Sequence, residues 1–116
     1  MIKLNSLKQS HQFIEILKKD KLYSNYYTVF FAKNFLKESS KHLNVSFVVK
    51  KKVGNAVLRN KIKRRLRSGV QQMVKKNVID LNYTYVFFGK KNASSDKYKL
   101  ILEELLKTFN KIKKFK

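Results

Sequence analysis

Few residues of this chain are of the types that catalyse reactions or hold metal ions. The sequence contains two histidines, His11 and His42, no cysteine and seven carboxylates. The carboxylates are scattered and show no recognisable spacing of a metal site or of an acid–base pair. An isolated histidine is more often structural than catalytic, so neither histidine is assigned a role. We therefore expect no catalytic and no metal-ligating side chain.

The side chains with the strongest chemical signal are cationic. Nine of the 28 lysines and arginines lie in the stretch KKKVGNAVLRNKIKRRLR, residues 50–67. No Asp or Glu occurs between Glu38 and Asp80, so the segment has no nearby acid for i,i+4 pairing. A charge run is ordinarily a solvated face. Here the missing counter-charges favour the alternative, a surface that binds the phosphates of RNA or DNA.

The overall composition is compatible with this interpretation. The 116 residues are 43% hydrophobic and include nine Phe and six Tyr, which predicts one folded domain over residues 1–116. The net charge of +21 indicates nucleic acid, with an anionic membrane surface as the lesser alternative. The sequence has no apolar run of ~20 residues and no signal-peptide core. The absence of cysteine suits a reducing compartment, so we expect a cytoplasmic protein.

Three apolar segments predict the strands of a sheet. Residues 21–33 are rich in aromatic and β-branched side chains, which favour one or two strands. Alternate residues of this segment share one face: Tyr27, Val29 and Phe31. The connection to LNVSFVVK is short, so these two segments are expected to form an antiparallel hairpin. Residues 83–89 are almost entirely apolar, as is typical of a strand buried on both faces near the centre of a sheet.

Helical spacing of apolar residues predicts three helices, at residues 7–19, after Gly54 and from Tyr98 onward. The helix after Gly54 has Asn55 as a candidate N-cap. Its apolar stripe comprises Leu58, Ile62, Leu66, Val70 and Met73. Its opposite side comprises Asn60, Lys63, Arg64 and Arg67, with Arg59 beside the stripe. The order of elements predicts an α+β fold, a two-layer sandwich with helices packed on a mostly antiparallel sheet.

Residues 51–67, KKVGNAVLRNKIKRRLR, resemble the RNR motif of the protein subunit of bacterial ribonuclease P. The similarity of pattern extends over nearly the whole chain. Lys61 stands where the second arginine of the motif usually lies, and a lysine ammonium lacks the planar fork of arginine. Arg65 occupies a position that is often apolar in the family. The resemblance implies a sandwich of the ribosomal protein S5 domain 2 type, with α-β-β-β-α-β-α order and a left-handed βαβ crossover.

The resemblance also implies a function. Ribonuclease P is an endoribonuclease that removes the 5′ leader of precursor tRNA, with the chemistry carried by its RNA subunit and Mg²⁺ held mainly by that RNA. The implied partners are ribonuclease P RNA and precursor tRNA, with no membrane, and the protein is expected to be monomeric apart from the RNA. The motif implies these RNA-facing residues: Lys51, Lys52, Asn55, Arg59, Asn60, Lys61, Lys63, Arg64 and Arg67. A cleft between the first helix and the sheet would bind the leader through Phe13, Leu17 and Phe31.

Other functions remain open from the residues alone. The main alternative is a ribosomal or general RNA-binding protein without a processing role, which the identity of the co-purifying RNA would distinguish. A self-contained basic nuclease would have to cleave RNA without any RNA subunit. A role at a membrane surface is disfavoured because the apolar stripe of the basic helix is needed to pack on the sheet.

Overall fold

The computed structural model describes residues 3–5, 16–33 and 42–114, which form five strands, three helices and a 3₁₀ turn. The strands are β1 (Lys3–Asn5), β2 (Asp20–Tyr23), β3 (Tyr27–Lys33), β4 (His42–Val48) and β5 (Tyr83–Gly89). The helices are α1 (Ala56–Lys75), α2 (Asn92–Ser95) and α3 (Tyr98–Lys113), and the 3₁₀ turn is Lys51–Val53. Of the helix predicted at 7–19, the described residues include the helical Ile16 and Leu17. Phe13 lies outside them.

The strands form one mixed sheet in the order β1-β4-β5-β3-β2. β3 pairs antiparallel with β2 and β5, whereas β4 pairs parallel with β1 and β5. The predicted hairpin of β3 with β4 is wrong, because β5 lies between them. The two strands do run in opposite directions, as expected. The prediction of a mostly antiparallel sheet is also wrong, since α1 crosses from β4 to a parallel neighbour.

β5 occupies the centre of the sheet, as its continuous apolar sequence predicts. Six of its seven residues are buried, and it pairs with β3 along its whole length and with β4 from Thr84 to Phe88. The edge strand β1 and the four-residue helix α2 were not predicted. Both are shorter than the windows over which hydrophobic periodicity can be recognised.

The main core lies between the sheet and the helices α1 and α3. Tyr27, Phe31 and Phe87 point into it from the sheet, and the predicted shared face of Tyr27, Val29 and Phe31 is confirmed. The ring centroids of Tyr27 and Phe87 are 5.1 Å apart in an edge-to-face arrangement. From the helices, the core receives Ile62, Leu66, Val70, Met73, Ile101, Leu105 and Phe109.

Two buried tyrosines keep their hydroxyls hydrogen-bonded inside this core. The Tyr27 hydroxyl lies 2.6 Å from Thr108 Oγ1, and the Tyr85 hydroxyl donates to the carbonyl oxygen of Asp80 at 2.7 Å. Burial raises the pKa of both hydroxyls well above the ordinary tyrosine value. Both side chains are therefore held neutral in the folded state.

Glycine permits close packing of β5 on α1. A Cβ atom at Gly89 would lie 2.5 Å from Ile62 Cγ2 and 3.0 Å from Val49 Cγ2. Any side chain would push the end of β5 away from the helix. This contact sets the depth at which the basic helix lies on the sheet.

The second face of the sheet carries a smaller apolar cluster. Ile16, Ala32 and Val86 are buried in it, and Phe30, Val48 and Phe88 pack against it while partly exposed. Because side chains alternate along a strand, Phe30 and Phe31 lie on opposite faces. The sheet thus has one face that is covered by α1 and α3 and a second face on which Ile16 packs.

Candidate nucleic-acid interface

The start of the basic helix α1 is fixed by the predicted cap. Asn55 has an extended backbone and its side-chain oxygen accepts a hydrogen bond from the Leu58 N–H at 2.9 Å. The first turn of α1 has no acidic residue. Lys51 and Lys52 are exposed in the 3₁₀ turn just before it. Asn55 therefore positions the helix, and its carboxamide N–H groups remain as donors for a ligand.

The outward side of α1 presents cations that pair with no carboxylate of residues 3–5, 16–33 and 42–114. Asn60, Lys61, Arg64 and Arg67 are exposed, and Arg59 and Lys63 are half-buried. Within the part of the chain that the structure describes, the one ion pair is Lys107 with Glu104 at 3.9 Å, on α3. The predicted RNA-facing residues lie on α1 and on the turn before it, on a surface that no described carboxylate neutralises. We call it the basic helix surface: Lys51, Lys52, Asn55, Arg59, Asn60, Lys61, Lys63, Arg64 and Arg67.

One flank of this surface lies over β4. Arg59, Lys63 and Arg67 follow one another at i,i+4 spacing, and the Arg67 guanidinium carbon lies 5.5 Å from the ring centroid of Phe47. This contact holds the Arg67 head against the sheet edge. Among the residues described, Arg59 Nε is the one buried side-chain nitrogen or oxygen that lacks a hydrogen-bond partner. The fold therefore leaves the bonding of Arg59 incomplete.

Arg65 differs from the other arginines of the segment. Its guanidinium donates to the carbonyl oxygens of Ala93 at 3.0 Å and Asp96 at 2.5 Å. These bonds tie α1 to α2 and satisfy carbonyls at the C-terminal end of that short helix. The cation at a position that is often apolar in the family therefore serves packing between helices in this chain.

Val57 lies next to the basic helix surface and was not predicted to be there from the sequence. It is 79% exposed and lies three and seven residues before Asn60 and Arg64, on the same side of the helix. An exposed apolar side chain beside cations is suited to contact a ribose or the face of a base. The available signal was its absence from the apolar stripe of α1.

Of the two predicted leader contacts that the structure describes, only Leu17 lies near the second face of the sheet. Leu17 is 38% exposed next to the buried Ile16. The structure contradicts the prediction for Phe31, because that ring is fully buried in the main core on the opposite face. Its neighbour Phe30 packs on the second face instead. The error is one of strand register, since neighbouring residues point to opposite faces.

Phe30 and Phe88 form an aromatic pair next to lysines on this second face. Their ring centroids are 5.4 Å apart and nearly perpendicular. Lys21 Nζ lies 5.7 Å from the centroid of Phe30, and Lys50 Nζ lies 5.8 Å from that of Phe88. Rings flanked by cations suit an unpaired nucleic-acid strand, because they offer stacking surfaces beside charges for phosphate.

Metal-ligand chemistry has no counterpart in these side chains. Over residues 3–5, 16–33 and 42–114, no three His, Cys, Asp or Glu side chains come together in a group that could hold a metal ion. The donors at both surfaces are lysine, arginine and asparagine nitrogens. Such groups bind anions rather than cations.

An α+β sandwich with a basic helix on one side and cation-flanked aromatic rings on the other is typical of a nucleic-acid-binding protein. The family model of ribonuclease P matches residues 1–113 of this chain. The chain therefore belongs to the ribonuclease P protein family, and with it to the endoribonuclease that processes the 5′ end of tRNA.

Curated relatives cover nearly the whole chain. The ribonuclease P protein component of Fusobacterium nucleatum is 35% identical over 115 residues, covering 95% of this chain and 98% of its own length. The ribonuclease P protein component of Bacillus mycoides is 30% identical over 111 residues, covering 96% and 93%. The family assignment therefore does not depend on the basic segment alone.

Solved structures are similar to the fold described here. The RNase P protein of Staphylococcus aureus has a TM-score of 0.71 at 31% identity, covering 94% of each chain. The RNase P protein of Thermotoga maritima has a TM-score of 0.74 at 28% identity, covering 92% of this chain and 96% of its own. The α+β sandwich predicted from the sequence is thus confirmed.

Proposed function

We propose that this protein binds ribonuclease P RNA through the basic helix surface and the 5′ leader of precursor tRNA on the second face of the sheet. The observation that carries the proposal is that no carboxylate of the described residues pairs with the cations of the basic helix surface. Phosphates supply the missing counter-charges and release condensed cations from the RNA when they do so. A folded ribozyme offers many phosphates to a rigid helix at once.

The proposed leader contact uses the other face. Leu17 and Phe30 supply apolar surface, and Phe88 extends it toward Lys50. Phe13 remains a predicted contact outside the described residues. An unpaired leader can stack on rings that a double helix cannot reach, which favours a single-stranded ligand on this face.

The contribution of the protein is electrostatic and positional. Ribozyme and substrate are both polyanions that repel each other, and a protein of net charge +21 between them offsets that repulsion. The described side chains do not fit a site for Mg²⁺, which prefers carboxylate and other oxygen ligands. We therefore propose that the RNA holds Mg²⁺ and that no side chain of this protein takes part in the cleavage through a bound metal ion.

Partners and location complete the proposal. None of the described helices is long and apolar enough to cross a membrane. We propose that the protein acts in the cytoplasm, as a monomer apart from its RNA. The proposal also treats residues 1–116 as one RNA-binding domain.

Identification of the RNA that co-purifies with the native protein tests the proposed partner. We expect one structured RNA that cleaves precursor tRNA on its own at high Mg²⁺ concentration. Ribosomal RNA as the dominant species would instead support a ribosomal protein and overturn the proposal. Purified protein without RNA should leave precursor tRNA intact.

A Mg²⁺ series tests the proposed role. Cleavage rates of precursor tRNA are measured for the RNA alone and for the RNA with protein. We expect the protein to lower the Mg²⁺ concentration needed for half-maximal cleavage, because its cations replace part of the screening. An unchanged Mg²⁺ requirement would contradict the electrostatic role.

A further inference from the structure

An exposed tyrosine extends the aromatic surface to the edge of the sheet. Tyr23 is the last residue of the edge strand β2 and is 68% exposed. Lys21 Nζ and Lys90 Nζ lie 5.4 Å and 5.8 Å from the centroid of its ring. The two ammonium groups repel each other across the same ring.

The strand register places Tyr23 on the face that carries Phe30 and Phe88. Leu22 packs against the main core, so its neighbours Lys21 and Tyr23 point to the second face. Tyr23 is paired with Thr28, which is paired with Phe88 on the next strand. Two strand spacings of ~4.8 Å therefore separate Tyr23 from Phe88 across the sheet.

Lys21 lies between the ring of Tyr23 and the Phe30–Phe88 pair. Its ammonium lies 5.4 Å from the centroid of Tyr23 and 5.7 Å from that of Phe30. Lys50 lies beyond Phe88 on the other side. We call this continuous surface the aromatic band: Lys50, Phe88, Phe30, Lys21, Tyr23 and Lys90.

Hydrogen bonds hold the end of the band in place. Lys90 Nζ donates to the Ser24 carbonyl oxygen at 2.6 Å, and its backbone N–H donates to the Tyr26 carbonyl oxygen at 2.9 Å. The Ser24 N–H donates to the Tyr27 carbonyl oxygen at 2.9 Å, which closes the turn after β2. Lys90 is therefore held next to Tyr23 by the fold.

We propose that Tyr23 is a stacking site for one unpaired base of the precursor tRNA leader, beyond the bases bound at Phe30 and Phe88. Lys21 and Lys90 bind the phosphates on either side of that base. The inference rests on the proposed function, since it extends the leader path. A single exposed aromatic residue needs no explanation by itself. Two lysine ammonium groups beside the same ring are a stronger indication of a ligand, because the phosphates of a bound nucleic-acid strand would relieve their mutual repulsion.

The test uses the assembled ribonucleoprotein and precursor tRNAs whose leaders are lengthened one nucleotide at a time. Affinity of the wild-type complex should rise with each leader nucleotide up to the one that reaches Tyr23. In Tyr23→Leu the final increment should be lost, a reduction of roughly tenfold, since base–aromatic stacking is worth about 1 to 3 kcal/mol. Shorter leaders should bind the variant and the wild type equally.

Two further variants keep the result specific. Tyr23→Phe retains the ring and should restore the increment. Leu100→Ala removes another exposed apolar side chain, 40% exposed on α3, and should leave the leader-length series unchanged. An abasic nucleotide at the leader position that stacks on Tyr23 should weaken wild-type binding and leave Tyr23→Leu unaffected.

The outcomes separate this inference from the proposed function. If the wild type gains affinity with leader length and Tyr23→Leu gains equally, the stacking site is wrong while leader binding stands. If Tyr23→Leu weakens all substrates equally, including mature tRNA, the ring contacts another RNA and the assignment to the leader is overturned. If the wild type shows no leader dependence, the proposed leader function itself fails.

Discussion

Adjacent arginines of α1 have different roles in the fold. Arg64 is exposed on the basic helix surface, whereas Arg65 bonds two carbonyl oxygens of the α2 region. Composition and spacing assign both to one basic run. Only the direction of each side chain separates a residue that can bind RNA from one that joins two helices.

This difference predicts that the same substitution affects stability at one position and RNA binding at the other. Arg65→Met should lower the free energy of unfolding by about 2 kcal/mol, because it leaves two carbonyl oxygens without a charged donor. Arg64→Met should change stability by less than about 0.5 kcal/mol but weaken RNA binding. Denaturant unfolding and RNA titration of both variants measure the two effects. Equal stability of the two variants would contradict the role of Arg65.

The residues of the second face illustrate what sequence cannot decide. Phe30 and Phe31 are identical in type, and alternation predicts that they point to opposite faces. It does not say which face the helices cover. That choice depends on the pairing of β3 with β5 and on the position of α1, which are contacts between residues distant in sequence. The wrong choice of Phe31 follows from this gap.

At the scale of elements, the basic helix was predicted more completely than the sheet. The cap at Asn55 and the buried stripe were read from local spacing, and both are present in the structure. The hairpin of β3 with β4 was inferred from a short connection, and it failed because β5 inserts between them. Residue spacing and capping residues predict one helix or strand at a time, whereas the order of the strands depends on contacts across the whole sheet.

The flank of α1 over β4 gives an element-scale prediction. We expect a triple variant to bind ribonuclease P RNA more weakly and with a shallower salt dependence of the affinity. The variant changes Arg59, Lys63 and Arg67 to Ala. Each lost phosphate contact lowers the slope of log affinity against log salt by about 0.7 to 0.9. Equilibrium titrations over a salt series measure the slope.

The matched control for this flank lies on α3. Lys107, Lys111 and Lys113 are exposed, and their combined change to Ala removes the same net charge. We expect a clearly smaller change of slope for this control. Equal slopes for the two triple variants would mean that net charge alone, rather than the basic helix surface, determines binding.

At the scale of the whole molecule, stability should decline in alkali. Burial raises the pKa of Tyr27 and Tyr85 in the folded state, whereas an unfolded tyrosine titrates near pH 10. Their contribution is therefore complete below about pH 10 and is lost as pH rises toward the folded values, because only the unfolded chain releases the protons. Denaturant midpoints over a pH series should fall above about pH 10. Tyr27→Phe should make that fall less steep, and an identical slope would contradict the assignment.

Net charge was the most reliable whole-molecule signal in the sequence. It indicated a polyanionic partner without any knowledge of the fold, and the family assignment agrees. Composition could not distinguish the two binding faces, because lysines on α1 and lysines beside Phe30 are the same residue type. The faces become distinct only when the sheet separates them.

β5 joins two halves of the sheet that no other described strand connects. Without it, β1 with β4 and β2 with β3 are separate two-stranded ribbons, which have marginal stability in water. A nascent chain that has emerged from the ribosome only up to residue 82 therefore contains the complete basic helix but no continuous sheet beneath it. We therefore expect the ordered cationic surface to form only once β5 has emerged and paired with β3 and β4.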